Sequence, residues 1–385
     1  MADGRRLGRC GRLVLVAAAC ALAVLAAGCS GSGSGSSGGP SGGSTAGATG
    51  STPSVAAASP GASGTPGATT QPVVSTQAPL AVAADINLGA AYTSPATVVA
   101  TEAPDGAVFY VSGGVIYVID GDSRPAVALH PSATVLAMTA DSTTLYVVTK
   151  TALIAYNRSS GARTGRWPLT ASPAAVTSAG AVTSDGTVWV WTCFATDQSG
   201  VENATLYVVP AKAARPSVVS QVMGVGTLAA DGPDAFFVNA VNDGRTSAMF
   251  EWEPSAASPS GVSRQGATSE LLGTPAVADG RVLLLSGTKL AEFRPAAGRG
   301  PVLGRTVTAP QVVSIAATAA GLLGLGCQSQ TECSVVERIN PASGTEQSHL
   351  VLPGGGLSDP GAGLLGPDPA VLTAESGQLH LIRLS

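Results

Sequence analysis

Charged and aromatic residues are scarce in this chain of 385 residues. Charged side chains make up 11% of the sequence and aromatic side chains 4%. Lysine occurs only as Lys150, Lys212 and Lys289, and the formal net charge is −4. Proteins that bind nucleic acid through its phosphates need clustered positive charge, and the sequence contains no basic cluster. We therefore expect no nucleic-acid partner.

Residue types that commonly perform catalysis are also few. The chain has three histidines, His130, His349 and His380, which are isolated from one another. No spacing of His, Cys, Asp or Glu meets the requirements of zinc or calcium, and Asp120 and Asp122 are interpreted as a polar turn. The sequence therefore predicts no catalytic residue, no metal and no cofactor. Whether the protein is an enzyme stays open, with a non-enzymatic role favoured.

The first 28 residues have the organisation of a secretory signal. Four positive charges, Arg5, Arg6, Arg9 and Arg12, precede Leu13–Ala27, which has no charged residue. As a helix, this apolar stretch would be about 22 Å long, whereas the hydrocarbon core of a bilayer is roughly 30 Å thick. A permanent transmembrane helix is therefore the weaker interpretation. The pair Arg5-Arg6 leaves open whether export is general or twin-arginine dependent.

The end of this leader, Leu25-Ala26-Ala27-Gly28-Cys29, resembles the lipobox of bacterial lipoproteins. In that family the signal is removed just before the cysteine, which is diacylated and becomes the new N-terminus. The resemblance implies a signal peptide over residues 1–28 and a lipid anchor on Cys29. Two acyl chains suffice for stable attachment. We expect a protein anchored by lipid to the extracytoplasmic side of the cell membrane.

Residues 29–84 form the second segment, a tether that begins with the lipidated cysteine. From Ser30 to Ala84 there is no charged or aromatic residue, and Gly, Ser, Thr, Ala and Pro dominate. Such a composition cannot bury enough apolar surface to offset the entropy lost on ordering, which predicts disorder. We interpret the segment as a spacer between the membrane and a folded domain.

The third segment, residues 85–385, contains seven short β-rich runs. They begin at Val108, Leu145, Val188, Phe236, Val282, Leu322 and Val371. The intervals between these starts range from 37 to 49 residues, which is close to the length of about 40–50 residues for a β-propeller blade. A second β-rich stretch follows each run, and turn residues such as Asp105-Gly106 and Asp185-Gly186 precede most of them.

These observations predict an all-β fold, a β-propeller of blades that each contain four antiparallel strands. Seven blades are favoured, and six or eight stay open because the weak strands do not fix the register. The last unit shows only three strands, while Leu80–Ala91 precedes the first unit as a spare strand. We expect this N-terminal strand to pair with Leu379–Leu384, because that pairing closes the ring and removes an exposed edge.

Residues 145–167 resemble one repeat of the quinoprotein-like (PQQ-type) β-propeller superfamily, and Asn340–Glu346 is a second, weaker match to the closing turn of that repeat. The resemblance implies a fold and no activity. The quinone-dependent dehydrogenases of that superfamily carry two adjacent cysteines, and the chain has no Cys-Cys pair. We therefore expect no quinone cofactor.

Cys327 and Cys333 are predicted to form a disulfide outside the cytoplasm. Five residues separate them, and a hairpin would bring their Cα atoms within the range of about 4.4–6.8 Å that a disulfide needs. Cys193 would then be an unpaired, buried residue, although a pairing of Cys193 with one of the other two stays open. Trp189 and Trp191 share one face of a strand. They are interpreted either as a stacking surface for a sugar or peptide or, as the favoured alternative, as packing between blades.

The leading functional hypothesis is a non-enzymatic binding or scaffolding module at the bacterial cell envelope. Its partner would be an envelope protein, a peptide or a glycan, bound by loops at one end of the ring, and the sequence leaves its oligomeric state open. The alternatives are an extracytoplasmic hydrolase or lyase with its active site at the mouth of the channel, and an assembly factor for other envelope proteins. Because propellers carry many unrelated functions, the fold does not decide between these classes.

Overall fold

The computed structural model describes eighteen ranges of the chain. They are 78–91, 99–169, 177–183, 185–194, 203–211, 217–223, 226–231, 234–241, 246–253, 262–269, 275–278, 281–286, 288–294, 302–309, 312–326, 334–352, 364–375 and 377–385. In these ranges no helix has both the length and the apolar character needed to cross a membrane.

The described residues form 28 strands. They are β1 (Val82–Ala91), β2 (Ala100–Glu102), β3 (Val108–Ser112), β4 (Val115–Ile119), β5 (Ala126–Leu129), β6 (Val135–Ala140), β7 (Thr144–Thr149), β8 (Ala152–Asn157), β9 (Arg163–Pro168), β10 (Thr177–Val182), β11 (Val188–Phe194), β12 (Asn203–Val209), β13 (Ser217–Met223), β14 (Gly226–Asp231), β15 (Asp234–Val241), β16 (Thr246–Glu253), β17 (Val262–Ser269), β18 (Ala276–Ala278), β19 (Arg281–Ser286), β20 (Lys289–Arg294), β21 (Val302–Thr308), β22 (Val312–Thr318), β23 (Gly321–Gly326), β24 (Val335–Ile339), β25 (Glu346–Val351), β26 (Leu364–Leu365), β27 (Ala370–Glu375) and β28 (Gln378–Leu384).

These strands pair into seven antiparallel sheets of four strands. The first six sheets each take four consecutive strands: β2–β5, β6–β9, β10–β13, β14–β17, β18–β21 and β22–β25. The seventh has the order β1-β28-β27-β26, so its outer strand comes from the beginning of the domain. In that pairing Asp85 lies opposite Ile382, and Asn87 lies opposite His380. The expected pairing of the N-terminal strand with the last strand is thus observed.

The β-rich runs predicted from the sequence are the second strands of the seven sheets. The runs that begin at Val108 and Leu145 become β3 and β7, and the other five become β11, β15, β19, β23 and β27. The strand nearest the axis is instead the weak strand before each run, since β2, β6, β10, β14, β18, β22 and β26 contact one another in succession. Strands that are covered on both faces are rich in apolar residues. The second strand of each sheet is the one that carries such an apolar run.

Burial follows the position of a strand within its sheet. In each of the strands β7 and β8, five of the six residues are buried, because neighbouring sheets cover both faces. The outer strands β9 and β25 instead alternate between exposed and half-buried residues. Trp189 and Trp191 are 0% and 2% exposed, so packing, rather than a stacking surface, is the role of both side chains.

Consecutive sheets pack face to face through apolar side chains. One cluster joins Phe109 of the first sheet to Leu145 of the second, and another joins Val148 of the second sheet to Val190 of the third. The seventh sheet packs on the first through a cluster that includes Leu88, Leu381, Val108 and Tyr110. Across the same boundary, the buried Tyr110 hydroxyl donates a hydrogen bond of 2.9 Å to the carbonyl of Leu88. Four-stranded sheets that pack in sequence about common inner strands define an all-β propeller.

The turns between strands use the chemistry that the sequence predicts. Gly106 and Gly186 have φ angles of 79° and 84°, which favour glycine because a Cβ is disfavoured there. The carboxylate of Asp185 accepts a hydrogen bond of 2.9 Å from the backbone amide of Thr187, and Asp141 accepts one of 2.7 Å from Thr143. These side-chain contacts satisfy backbone donors that no strand partner reaches.

Two turns that the PQQ-type resemblance identified have the same structure. The side-chain oxygen of Asn157 accepts a hydrogen bond from the amide of Ser160, and that of Asn340 accepts one from Ser343. In both turns the backbone carbonyl of the asparagine accepts a bond from a glycine four residues later. These glycines, Gly161 and Gly344, have positive φ angles of 66° and 73°. The weaker match in the sixth unit is therefore the same turn as the one in the second.

Candidate functional site

Two sets of turns lie at one end of the sheets, which we call the turn face. In an antiparallel sheet of four strands, the turn after the first strand and the turn after the third lie at the same end. The turn face thus includes the turns around Asp105 in the first sheet, Asp141 in the second and Asp368 in the seventh, and the turn at Gly121 between β4 and β5.

Arg158 fastens the second sheet to the first at the turn face. Its guanidinium donates two hydrogen bonds, of 2.7 and 2.8 Å, to the carboxylate of Asp105, and one of 2.8 Å to the carbonyl of Asp141. It also lies over the ring of Phe109, 5.2 Å from the centroid. Burial raises the pKa of Asp105, but the hydrogen bond and charge of Arg158 lower it by more, so that this pKa lies below its usual value.

Arg383 makes the corresponding contact between the seventh sheet and the first. From β28 it donates hydrogen bonds of 3.0 Å to the carbonyls of Gly121 and Gly106. The carboxylate of Asp368, in the turn between β26 and β27, lies directly against the Cα of Gly106, where a Cβ would collide with it. These two residues bring one positive and one negative charge to the boundary between the seventh sheet and the first.

Glu102, the last residue of β2, lies at the same boundary and is only 8% exposed. Neither oxygen of its carboxyl group has a hydrogen-bond partner. Burial raises the pKa of Glu102 to about 8, and the negative charge of Asp368 contributes to the rise. The positive charge of Arg383 and the backbone of Asp368 oppose it less strongly.

Glu102 therefore carries its proton at neutral pH, while an acidic side chain and a guanidinium lie near it. A protonated carboxyl group can donate a hydrogen bond or a proton, which an ionised one cannot. Glu102, Asp368 and Arg383 thus bring together a buried neutral carboxyl group, an acidic side chain and a guanidinium at this end of the sheets.

The structure locates only some of the residues that the sequence singles out. Cys29, Cys327 and Cys333 lie outside the described residues, so the lipid anchor and the disulfide stay predictions, and for Cys193 only its place in β11 is described. His349 lies 2.7 Å from Glu346 on β25, and the two side chains are largely exposed. His380 lies 2.7 Å from Asp85 across the pairing of β28 with β1. No described group of His, Cys, Asp or Glu is arranged to hold a metal ion.

Sequence reasoning missed Glu102, Asp368 and Arg383. Asp368 and Arg383 lie 266 and 281 residues after Glu102 in the sequence. The three residues meet only because the seventh sheet packs on the first. Thr101-Glu102-Ala103 matches no motif, so no local signal marks the glutamate as buried. The one available hint is that a strand of three residues, β2, ends in a carboxylate next to Ala103, which is fully buried.

Comparison with known proteins confirms the fold. No protein-family model matches the chain, and no curated protein matches it either. Among solved structures, one described as the mitotic checkpoint complex aligns over 79% of this chain and 94% of its own, with 13% identity and a TM-score of 0.52. BamB from Moraxella catarrhalis aligns over 79% of this chain and 99% of its own, with 13% identity and a TM-score of 0.45. At 13% identity the first of these similarities shows the β-propeller fold and nothing about activity.

Proposed function

We propose that the protein is a non-enzymatic binding or scaffolding module, held by lipid on Cys29 at the extracytoplasmic face of a bacterial cell membrane. The observation that carries the proposal is where the predicted tether joins the propeller. β1 directly follows that segment and is the outer strand of the seventh sheet, and Ala81 exchanges backbone hydrogen bonds with Ser385. The predicted tether is therefore continuous with an outer strand and not with a turn of the turn face.

The proposed partner is a protein, a peptide or a glycan of the envelope. The turn face supports this choice, since Arg158 and Arg383 fix its turns to neighbouring sheets and so preorganise them. The similarity to a propeller within the mitotic checkpoint complex supports a protein partner for a scaffold of this shape. We also propose that the seven sheets are the blades of one closed ring, and that Cys327 and Cys333 form a disulfide.

One observation favours a second candidate, an extracytoplasmic hydrolase or lyase. Glu102, with its pKa of about 8, lies beside Asp368, and carboxyl groups with different surroundings can act as acid and base. Under this alternative Glu102→Gln abolishes turnover of nitrophenyl esters or glycosides, whereas Asp122→Asn, which removes an exposed carboxylate near Arg383, does not. Absence of turnover by the unaltered protein argues against it.

The anchor is tested by the Cys29→Ala variant of the full chain, expressed in a bacterium that acylates lipoproteins. We expect the unaltered protein in the membrane fraction with the mass of two acyl chains, because two chains hold a protein stably. The variant should lose the added mass and leave that fraction. Equal membrane association of the two, with no acyl mass on either, would contradict the proposal.

The binding role is tested by crosslinking and affinity capture of the lipidated protein from its native envelope. Recovery of one partner in a fixed ratio supports a scaffold. Recovery of no macromolecule, together with turnover in the ester or glycoside assay, favours the enzyme.

A further inference from the structure

A concentration of positive charge lies on the fifth sheet, at the end of the turn face but on a different sheet from Glu102. Its centre is Glu292 on β20, whose side chain is only 2% exposed. The carboxylate accepts a hydrogen bond of 2.7 Å from Nε of Arg305 and one of 3.1 Å from Nε of Arg294. Nη1 of Arg281 lies 3.6 Å away. We call these four residues the arginine cluster.

The arginine cluster occupies one face of three adjacent strands. Glu292 lies opposite Arg305 of β21 and opposite Leu283 of β19. Since side chains alternate along a strand, Arg281 shares the face of Leu283, and Arg294 shares the face of Glu292. Arg305 also donates a hydrogen bond of 3.2 Å to the carbonyl of Pro341 in the sixth sheet, which fixes its position.

The arginine cluster has two more positive charges than negative ones. Burial raises the pKa of Glu292, but the hydrogen bonds from Arg294 and Arg305 and the nearby positive charges lower it by more, so the pKa lies below its usual value and the group is ionised at neutral pH. Three guanidiniums therefore share one carboxylate. The side chains of Arg294 and Arg281 are 66% and 40% exposed.

The way that Glu292 holds these side chains leaves donors for a second anion. Arg294 and Arg305 contact it through Nε, and the Nη groups of Arg294, whose side chain is 66% exposed, form no hydrogen bond among the described residues. A guanidinium that is already ordered loses less entropy when it binds. Glu292 thus acts as a positioning residue that aligns cationic groups toward an external carboxylate.

We propose that the arginine cluster binds an acidic segment of a partner protein in an extended conformation. β21 is the outer strand of its sheet, so one of its edges has no strand partner in that sheet. Leu303 on this strand is 47% exposed. An extended peptide can pair with such an edge while its side chains reach the neighbouring groups, which a polysaccharide cannot do. This inference rests on the proposed binding function and names the chemistry of the partner.

The test uses the lipidated chain in detergent and a fluorescein-labelled octapeptide of alternating Glu and Val. Fluorescence anisotropy measures binding to the unaltered protein and to the double variant Arg281→Ala/Arg294→Ala, in which Arg305 still pairs with Glu292 and keeps the buried charge compensated. The matched control is Arg163→Ala/Arg166→Ala, which removes two exposed arginines from the outer strand β9. A tetragalacturonate with the same number of carboxylates is the polysaccharide probe.

We expect the cluster variant to bind the peptide more weakly, on the order of tenfold, since two charge pairs are lost, and the control variant to bind like the unaltered protein. Added salt should weaken binding only where the cluster is intact. Equal binding by all three proteins overturns the inference, as does tetragalacturonate binding at least as tightly as the peptide. If the cluster variant binds the peptide as tightly as the unaltered protein and still captures an envelope partner, the inference fails while the proposed function stands.

Discussion

Glu102 differs from the other carboxylates of the turn face because it is buried and the groups that lower its pKa do not offset the effect of burial. Asp105 and Asp185 have pKa values below the usual one, since hydrogen bonds to the ionised form outweigh the effect of burial. For Glu102, burial and the charge of Asp368 raise the pKa by more than Arg383 and the backbone of Asp368 lower it, so the neutral form is favoured. Carboxyl groups at one end of the molecule therefore have opposite charge states at pH 7.

This difference makes the stability of the domain depend on pH. Folding raises the pKa of Glu102 from 4.5 to about 8, so its stabilising contribution is fully present below pH 4.5 and is lost as the pH rises through 8. We expect the free energy of unfolding in urea to fall by on the order of a few kcal/mol over that window. The variant Glu102→Gln should flatten the decrease.

The control for this prediction is Asp122→Asn, because Asp122 lies 3.9 Å from the same Arg383 and its side chain is 75% exposed. Its removal should leave the slope of stability against pH unchanged. If Glu102→Gln keeps the slope of the unaltered protein, the pH dependence does not come from a raised pKa of Glu102.

At the scale of single elements, the turn that ends at Gly344 shows how a repeat fixes its neighbour. Gly344 has a φ of 73°, and a Cβ built there collides with the carbonyl of Thr308, on β21 of the preceding sheet. Gly161 takes the same position in the second sheet, where a Cβ would meet the carbonyl of Ala128 at 3.2 Å. The turn between the third and fourth strands is thus also a contact between sheets.

Replacing Gly344 by Ala should therefore cost more than the positive φ alone. We expect the free energy of unfolding to fall by about 2–4 kcal/mol, of which about 1 kcal/mol comes from the backbone conformation. The matched control is Gly113→Ala, where φ is 57° and a Cβ meets nothing within 4 Å. Chemical unfolding measures both, and equal losses in the two variants would show that the close approach to Thr308 has no energetic role.

At the scale of the whole molecule, the pairing of β1 with β28 joins the two ends of the domain. It covers the edge of β28 and carries Leu88 and Ala90, which are 5% and 3% exposed, into the core shared by the first and seventh sheets. Without β1, the seventh sheet would lose its outer strand and expose apolar surface.

Deletion of Asp85–Tyr92 should accordingly lower the midpoint of thermal unfolding by more than about 10 °C, because each kcal/mol corresponds to roughly 2–4 °C in a domain of this size. A deletion of eight residues within the tether, residues 60–67, is the control and should leave the midpoint unchanged. If the protein that lacks Asp85–Tyr92 melts like the full chain, β1 does not stabilise the domain.

The sequence alone was sufficient to predict the fold class, the four-stranded repeat and the pairing of the N-terminal strand with the last strand. These features could be predicted because apolar runs such as Val108–Val111 and Leu145–Val148 recur at similar positions in each repeat unit. The same reasoning gave the turn chemistry of Asp185 and the packing role of Trp189, since both depend on near neighbours along the chain.

Only the tertiary structure identified the sites. Glu102 meets Arg383 because the last sheet packs on the first, and Glu292 meets Arg305 and Arg281 because three strands align in one register. No sequence motif predicts either contact, since the burial and the charge balance of these groups depend on residues that are far apart in the chain. Local chemistry and periodicity thus determined the elements, whereas the environment of each ionisable group was decided by packing.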